Sequence, residues 1–458
     1  MTTLTTLFYF IIVIFALVSV HEFGHFIAAR IFGMHVPIYS IGMGRRLFGW
    51  NKHNGFTTGP LSEEFENQLG AHTDYRLSLL PIGGYAKIAG MIDETQTEAL
   101  PAVAQPWEFR SKSWWKKSIV ISAGVFMNLV LAGAIFIGIK YSEGKEIWET
   151  TTVGYVGKSS VSAKLGVQAG DKIIAIGGKP VTNWQDLREE AIIEQLDHDF
   201  TMTALRNGQE IKFHYNTNDL GTDNPETKFG LVPEGVGGTK LNAVVASTPA
   251  DRIHLKEGDV ITKVNDVPIE SETALIDNIS VHPNEEILLT WKRDGKEMSS
   301  KVTPDASGHI GVNPAPAPFA GKVRKINYSI IEAVPAGITE LFSQVRLYLK
   351  SIGMLFSGKV DVSKNIGGPI KIAQIAGQAA KGGADVFFRF MALLSLSLAF
   401  LNILPIPALD GGHLLIILIE AIIGRELSQN FKLGFQKVGV TVLLLLMAFM
   451  VFNDIRGL

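Results

Sequence analysis

The chain has 458 residues, room for about three folding units of about 150 residues each rather than one compact core. With 47% hydrophobic and 19% charged residues and a mean hydropathy of +0.21, it is more apolar than an ordinary soluble protein, which points to membrane spans. Its 42 Lys and Arg against 44 Asp and Glu leave a net charge of -2, so no global field favours nucleic acid; with no cysteine, disulfide frameworks, thiolate metal sites and cysteine nucleophiles are excluded.

The first predicted span occupies residues 1–33, with apolar runs Leu7 to Val20 and Phe23 to Phe32 interrupted by His21, Glu22 and His25. The first basic residue is Arg30, so the segment reads as an uncleaved anchor rather than a signal peptide. His21-Glu22-Phe23-Gly24-His25 is an H-E-x-x-H motif. On a helix the two imidazoles share one face and can hold one zinc ion, while the glutamate stands beside an activated water as general base. Ionisable groups inside an apolar span cost about 2.5 to 3.5 kcal/mol each on insertion scales, which favours function over helix packing.

Residues 34–117 read as a cytoplasmic loop containing a short β segment. The glycines of Ser40 to Gly44 and Leu80 to Lys87 fit turns, and Tyr85 to Ile88 reads as a short strand with an open edge. Residues 51 to 74, polar and carrying Pro60, Glu63, Glu64 and Glu66, read as an exposed loop or hairpin. The second span, residues 118–141, follows the basic cluster Arg110, Lys112, Lys116 and Lys117.

A repeat follows. Leu165 to Val181 aligns with Ile253 to Ile269, pairing Gly170 with Gly258, Asp171 with Asp259 and Pro180 with Pro268; farther on, Arg206-Asn-Gly aligns with Arg293-Asp-Gly. Asn-Gly and Asp-Gly between alternating apolar residues are hairpin turns, so two copies of one β-rich module are expected, at 150–228 and 229–315. Residues 320–385 form an amphipathic helical linker: from Ile326 to Phe356 apolar residues recur at helical spacing with Glu332, Glu340, Arg346 and Lys350 between them, interrupted by Pro335.

The third span, residues 386–424, carries Leu401-Asn-Ile-Leu-Pro-Ile-Pro-Ala-Leu-Asp-Gly-Gly-His413, in which Pro405 and Pro407 break the helix and Asp410 stands just before a new apolar one; the fourth occupies 431–454. Catalytic zinc takes three protein ligands and leaves a position open. Asp410 and His413 are both candidates for the third ligand, Asp410 being equally suited to cap the helix that follows, and Asn402 to hydrogen-bond between helices. Basic residues gather after the first span, before the second, and between the third and fourth (Arg425, Lys432, Lys437), which places those loops in the cytoplasm and residues 142 to 385 outside.

The H-E-x-x-H of the first span, with N-x-x-P-x-P-x-L-D-G (Asn402, Pro405, Pro407, Leu409, Asp410, Gly411) at the end of a later one, resembles the site-2 protease family of intramembrane zinc metalloproteases. The two modules resemble PDZ domains, and the whole plan is similar to the regulator of sigma-E protease group. The resemblance implies a four-helix membrane core with two periplasmic PDZ-like α+β domains in the bacterial inner membrane, and an active site near the cytoplasmic side. It implies that His21, His25 and Asp410 bind zinc, that Glu22 activates water, and that Asn402 positions or polarises the substrate backbone, leaving His413 without a metal role. Gly83, Gly84 and Tyr85 would lie on a membrane-associated β segment that pairs with an extended substrate near the zinc. That substrate would be a transmembrane protein, such as a pre-cleaved anti-sigma factor or a signal-peptide remnant, met in membrane lipid, and the outer domains would act as a size filter. Asn365 to Pro369 resembles the segment ahead of the family's third span. Two other readings use the same residues: a zinc transporter, which needs polar residues continuing across several spans, and a PDZ scaffold with a structural metal, which has no need of Glu22.

Overall fold

The computed structural model describes residues 3–61, 72–91, 103–195, 198–220, 228–236, 238–269, 271–316, 319–356 and 367–456. Glu63, Glu64, Glu66 and Asn365 lie outside them. The chain divides into two compact units, one drawn from Met1–Glu143, Tyr328–Tyr348 and Ile366–Leu458, the other from Gly144–Asn327 and Leu349–Asn365.

The first unit is helical around a small sheet. Helix α1 (Thr3–Ile31) leads into strands β1 (Ile38–Asn51), β2 (Gly55–Thr58) and β3 (Asp74–Lys87), then α2 (Trp114–Glu143). After the second unit come α3 (Ile330–Phe356), α4 (Pro369–Gly382), α5 (Ala384–Ile403), α6 (Asp410–Ile423) and α7 (Gln429–Arg456). Among the described residues, four helices are long and apolar enough to cross a membrane: Leu4–Ile31, Trp114–Glu143, Ala384–Ile403 and Gln429–Arg456. They are the four segments expected from the sequence.

The break expected at the two prolines is present: Leu404 is extended and ends α5, the prolines at 405 and 407 keep the next turn from being helical, and α6 restarts at Asp410, so residues 386–424 hold two helices. Two departures from the sequence reading have physical causes. Part of the supposed linker joins the membrane unit, because α3 sets Leu341 among the buried residues Phe136 and Leu396 and pairs Glu340 with Lys140 at 3.1 Å. Gly337 permits this, since a Cβ there would sit 2.6 Å from the backbone nitrogen of Ile137. Finally, the 51 to 74 segment begins as a hairpin, one of its two expected forms, with Asn51 of β1 paired to Gly55 of β2, but its described ends are not exposed: Asn51 and Asp74 are both fully buried.

Those two residues belong to the network that shapes the sheet. Ile38 to Ile41 of β1 lies between two parts of β3, pairing with Asp74 to Leu77 on one side and Gly84 to Lys87 on the other, while Phe48 to Trp50 pairs with Tyr75 to Leu77 and with β2. The Asp74 carboxylate accepts two hydrogen bonds from Arg46 (3.0 and 3.1 Å), one from Asn51 (3.2 Å) and one from Arg76 (2.7 Å). Burial alone raises a carboxyl pKa, but here the hydrogen bonds from Arg46 and Asn51 and the charges of Arg76 and Arg46 outweigh it and hold Asp74 below its ordinary range. The stabilisation is therefore complete above the ordinary carboxyl pKa and is lost as pH falls through the lowered one. Asp74→Ala strands the buried Arg46 charge at a cost of about 3–5 kcal/mol. In detergent, trypsin should cut this variant rapidly at Arg45 and Arg46 where the parent resists; equal resistance would contradict the role of the network.

The second unit holds two modules with one element order. The first runs through strands Val153–Val156, Lys172–Ile176, Phe200–Arg206 and Gln209–Tyr215, and the second through Thr239–Val244, Val260–Val264, Ile287–Arg293 and Lys296–Val302. Each has its own buried core, centred on residues such as Ile173, Leu187 and Met202 in the first and Leu241, Ile261 and Trp291 in the second. The residues paired by the repeat form one clamp in both: Arg206 grips Asp171 through two bonds of 2.7 Å, and Arg293 grips Asp259 through two of 2.7 Å. The expected boundary at 228 cuts the first module short, because Leu231–Pro233 pairs antiparallel with Val153–Val156; three residues ending in proline carry too little alternation to read as a strand. Lys145–Trp148 and Val323–Ile326, flanking both modules, pair as a two-stranded ladder that hydrophobic alternation did not announce.

Candidate metal centre

The last third of α1 presents His21 and His25 one turn apart, both buried. Gly24 lets α2 approach backbone to backbone, since a Cβ there would collide with the carbonyl of Ala123. Gly124 on α2 then lies beneath the two rings, and a Cβ at that position would fall on His25 Nε2 and 2.8 Å from His21 Nε2. The break before α6 delivers Asp410 from another direction, with Pro407 seated against Gly439 of α7, where a Cβ would meet the Pro407 carbonyl.

Three donor atoms converge. His21 Nε2 lies 3.1 Å and His25 Nε2 3.4 Å from Asp410 Oδ2, and the two ring nitrogens are 3.2 Å apart. Among the described residues this is the group of three or more His, Asp or Glu side chains whose ligand atoms all lie within 4.8 Å of one another. His25 Nδ1–H donates to the Val120 carbonyl at 2.9 Å, which leaves Nε2 of the neutral ring as a bare lone pair. A bare ring nitrogen facing a carboxylate oxygen is repulsive unless a cation lies between them. Asp410 Oδ2 is moreover buried without a hydrogen-bond partner. Two imidazoles and one carboxylate are a set that zinc takes, with a fourth position left open.

Glu22, next to His21 on the chain, stays outside this group of three donor atoms. Its Oε2 accepts a hydrogen bond of 3.0 Å from the Ala86 N–H on β3, which fixes the carboxylate between the metal donors and the sheet. Tyr39 of β1 donates to the Ser19 carbonyl of α1 at 2.9 Å, tying the sheet to the helix just before His21. Asn402 places Nδ2 3.4 Å from His21 Nε2. Gly83, Gly84 and Tyr85 line the same cavity, of about 630 Å³, as the metal donors, Glu22 and Asn402. Gly84 is required by close approach: a Cβ would stand 2.8 Å from the Ser40 carbonyl. The structure thus brings together every site residue singled out from the sequence. His413 lines the cavity but is not in the donor group.

Two residues of the cavity region escaped the sequence reading. Asn128 of α2 is fully buried with Nδ2 3.1 Å from His21 Nδ1, and Gln436 of α7 lines the cavity with Nε2 buried and unpartnered. The signal available for each was a lone amide within an apolar run.

The sequence profile described as Peptidase family M50 matches residues 9–446. A protein of Neisseria meningitidis serogroup A named as a zinc metalloprotease is 31% identical over 472 residues, covering 99% of each chain. The regulator of sigma E protease of Haemophilus influenzae is 30% identical over 470 residues, covering 99% of each chain, and the regulator of sigma-E protease of Escherichia coli K12 is 27% identical over 472 residues, covering 98% of each.

Proposed function

The chain belongs to peptidase family M50 and is a zinc metallopeptidase, and from that premise we propose that it hydrolyses peptide bonds in transmembrane segments at the cavity between α1, β3 and α6. The observation that carries this reading is the placing of Glu22 beside the His21, His25 and Asp410 donors and, through Ala86, on the outer strand of the sheet. A transporter would not need a general base there, and a structural site would not need a cavity.

Zinc held by His21, His25 and Asp410 would supply a Lewis acid that polarises the scissile carbonyl and acidifies water. Glu22 takes the proton of the attacking water and hands it to the leaving amine, its second oxygen held by Ala86 throughout. Asn402 donates its amide N–H to the carbonyl oxygen as negative charge develops there. A transmembrane helix hides its carbonyls in its own hydrogen bonds, so the substrate must first unwind, and in an apolar medium the freed groups need partners. The Ala86 N–H points away from β1, so Gly84 to Ala86 form the outer edge of the sheet, along which an extended segment can be added as a strand. The Escherichia coli relative is named as a regulator of sigma-E protease, which supports a substrate of the anti-sigma-factor type; a signal-peptide remnant is the other substrate class proposed. A single-span model peptide with a glycine-rich centre tests the reading: sequenced products should show cleavage inside the apolar stretch, halted by a zinc chelator. Cleavage that persists in chelator, or none in zinc-loaded protein, would overturn it.

The orientation we propose is that of an inner-membrane protein with residues 142–385 in the periplasm and the metal centre towards the cytoplasmic side, supported by the basic residues flanking the spans. The chain has no cysteine, so Ser247→Cys is a single probe. An impermeant thiol reagent should label it in cells with an opened outer membrane; labelling only after the inner membrane is opened would reverse the topology.

The two modules are proposed as PDZ-like domains that exclude substrates with bulky outer domains. Deleting residues 150–321 leaves Lys145–Trp148 and Val323–Ile326 to pair as before. The variant should hold zinc, cleave a short substrate, and newly cleave one with a folded outer domain. Loss of the short substrate would instead indicate recruitment by the modules.

A further inference from the structure

An imidazole that offers Nε2 to a metal carries its proton on Nδ1, and that N–H, when buried, needs an acceptor. For His25 the acceptor is the Val120 carbonyl. For His21 the facing group is the side-chain amide of Asn128, in which Nδ2 stands 3.1 Å from His21 Nδ1 while Oδ1 is buried with no partner. In that orientation the amide donates to Nδ1, and the neutral ring then carries its proton on Nε2, where it blocks a metal. A half-turn of the amide about its last bond exchanges the two ends, since oxygen and nitrogen occupy nearly the same volume.

We infer that Asn128 is a positioning residue of the metal centre: its Oδ1 accepts the His21 Nδ1 proton, which holds the ring in the tautomer and orientation that present Nε2 to zinc. The surroundings suit that task. Asn128 is fully buried, and Ser395 of α5, itself fully buried, donates to its backbone carbonyl at 2.9 Å. That bond pins the α2 backbone at Asn128 to the helix that also carries Asn402. Gly124, one turn earlier on α2, provides the space in which the two rings lie, so one face of α2 both accommodates and orients the ligands of α1.

The inference rests on His21 being a zinc ligand, and the experiment separates the two. Full-length parent, His21→Ala, Asn128→Leu and Asn128→Asp are purified in detergent, and zinc affinity is measured by competition with a chromophoric chelator. The visible spectrum of the cobalt-loaded proteins serves as a second readout. Leucine keeps the volume of asparagine without an acceptor, and its zinc Kd should rise roughly 10- to 100-fold, with weakened cobalt bands. Aspartate can accept but not donate, and should hold zinc within about threefold of the parent, since carboxylates commonly serve ligating histidines in this way. A structural role would show the reverse order, the apolar isostere being tolerated and the buried charge not. Parental affinity and spectrum in Asn128→Leu, with zinc lost in His21→Ala, overturns the inference alone; parental affinity in His21→Ala removes the ligand role and the inference with it. Should Asn128→Leu not fold, Asn128→Asp decides: affinity as poor as that of His21→Ala overturns the inference.

Discussion

Glu22→Gln should bind zinc as the parent does and cleave a transmembrane peptide at least about a hundredfold more slowly, because general-base catalysis contributes on the order of 10²–10⁴ in rate. The glutamine keeps the volume of the side chain and retains an oxygen for the Ala86 N–H, so the sheet edge and the helix stay where they are. What it lacks is basicity. Glu22 does not belong to the donor group, so the metal content should not move. Measured side by side, unchanged zinc with lost turnover separates a base from a ligand. Turnover within a few-fold of the parent would leave the proposed proton transfer without a residue.

Gly124→Ala should abolish zinc binding while leaving the helices intact. The added methyl would fall on His25 Nε2 and 2.8 Å from His21 Nε2, in the space between the two imidazole rings. The helices have little freedom to yield, because Gly24 of α1 already rests on the Ala123 backbone of α2. Helix propensity works in the other direction, since alanine in place of a helical glycine is favourable by about 1 kcal/mol. Zinc affinity should fall by more than the roughly 10- to 100-fold that follows loss of an outer-shell partner, with helical content unchanged by circular dichroism. Gly138→Ala is the control: on the same helix, a Cβ there meets nothing within 4 Å, and zinc should be retained. Parental zinc in Gly124→Ala would show that the rings sit elsewhere when the metal is held.

The readable part of the site is the part with spacing. His21, Glu22 and His25 announce themselves because four residues make one helical turn, and Asp410 because two prolines end a helix and the following aspartate opens another. Gly124 and Asn128 had no such grammar. A glycine in an apolar helix is common, and its use as a cradle for two rings on a neighbouring helix depends on a crossing that only the tertiary structure sets. The sheet was half legible: glycines and a short apolar run mark a strand at Tyr85 to Ile88, where the structure has the end of a longer strand from Asp74 to Lys87 with Ile88 outside it, and its fastening by Arg46 and Asp74 joins residues 28 apart that carry no local signal. In the modules the repeat matches Asp171 with Asp259 and Arg206 with Arg293, but that each aspartate clamps the arginine of its own module follows only from the fold, and the ladder closing them was hidden in two four-residue strands far apart in the chain.

The central claim, that peptide-bond hydrolysis depends on a metal held by His21, His25 and Asp410, is tested most directly by zinc titration of metal-free protein. Parent and Asp410→Ala are stripped with chelator, and cleavage of the model transmembrane peptide is followed as zinc is returned. The parent should regain activity with a break at about one equivalent per chain, whereas Asp410→Ala should give no break and no cleavage. Recovery of activity by Asp410→Ala at the same zinc concentration would contradict it.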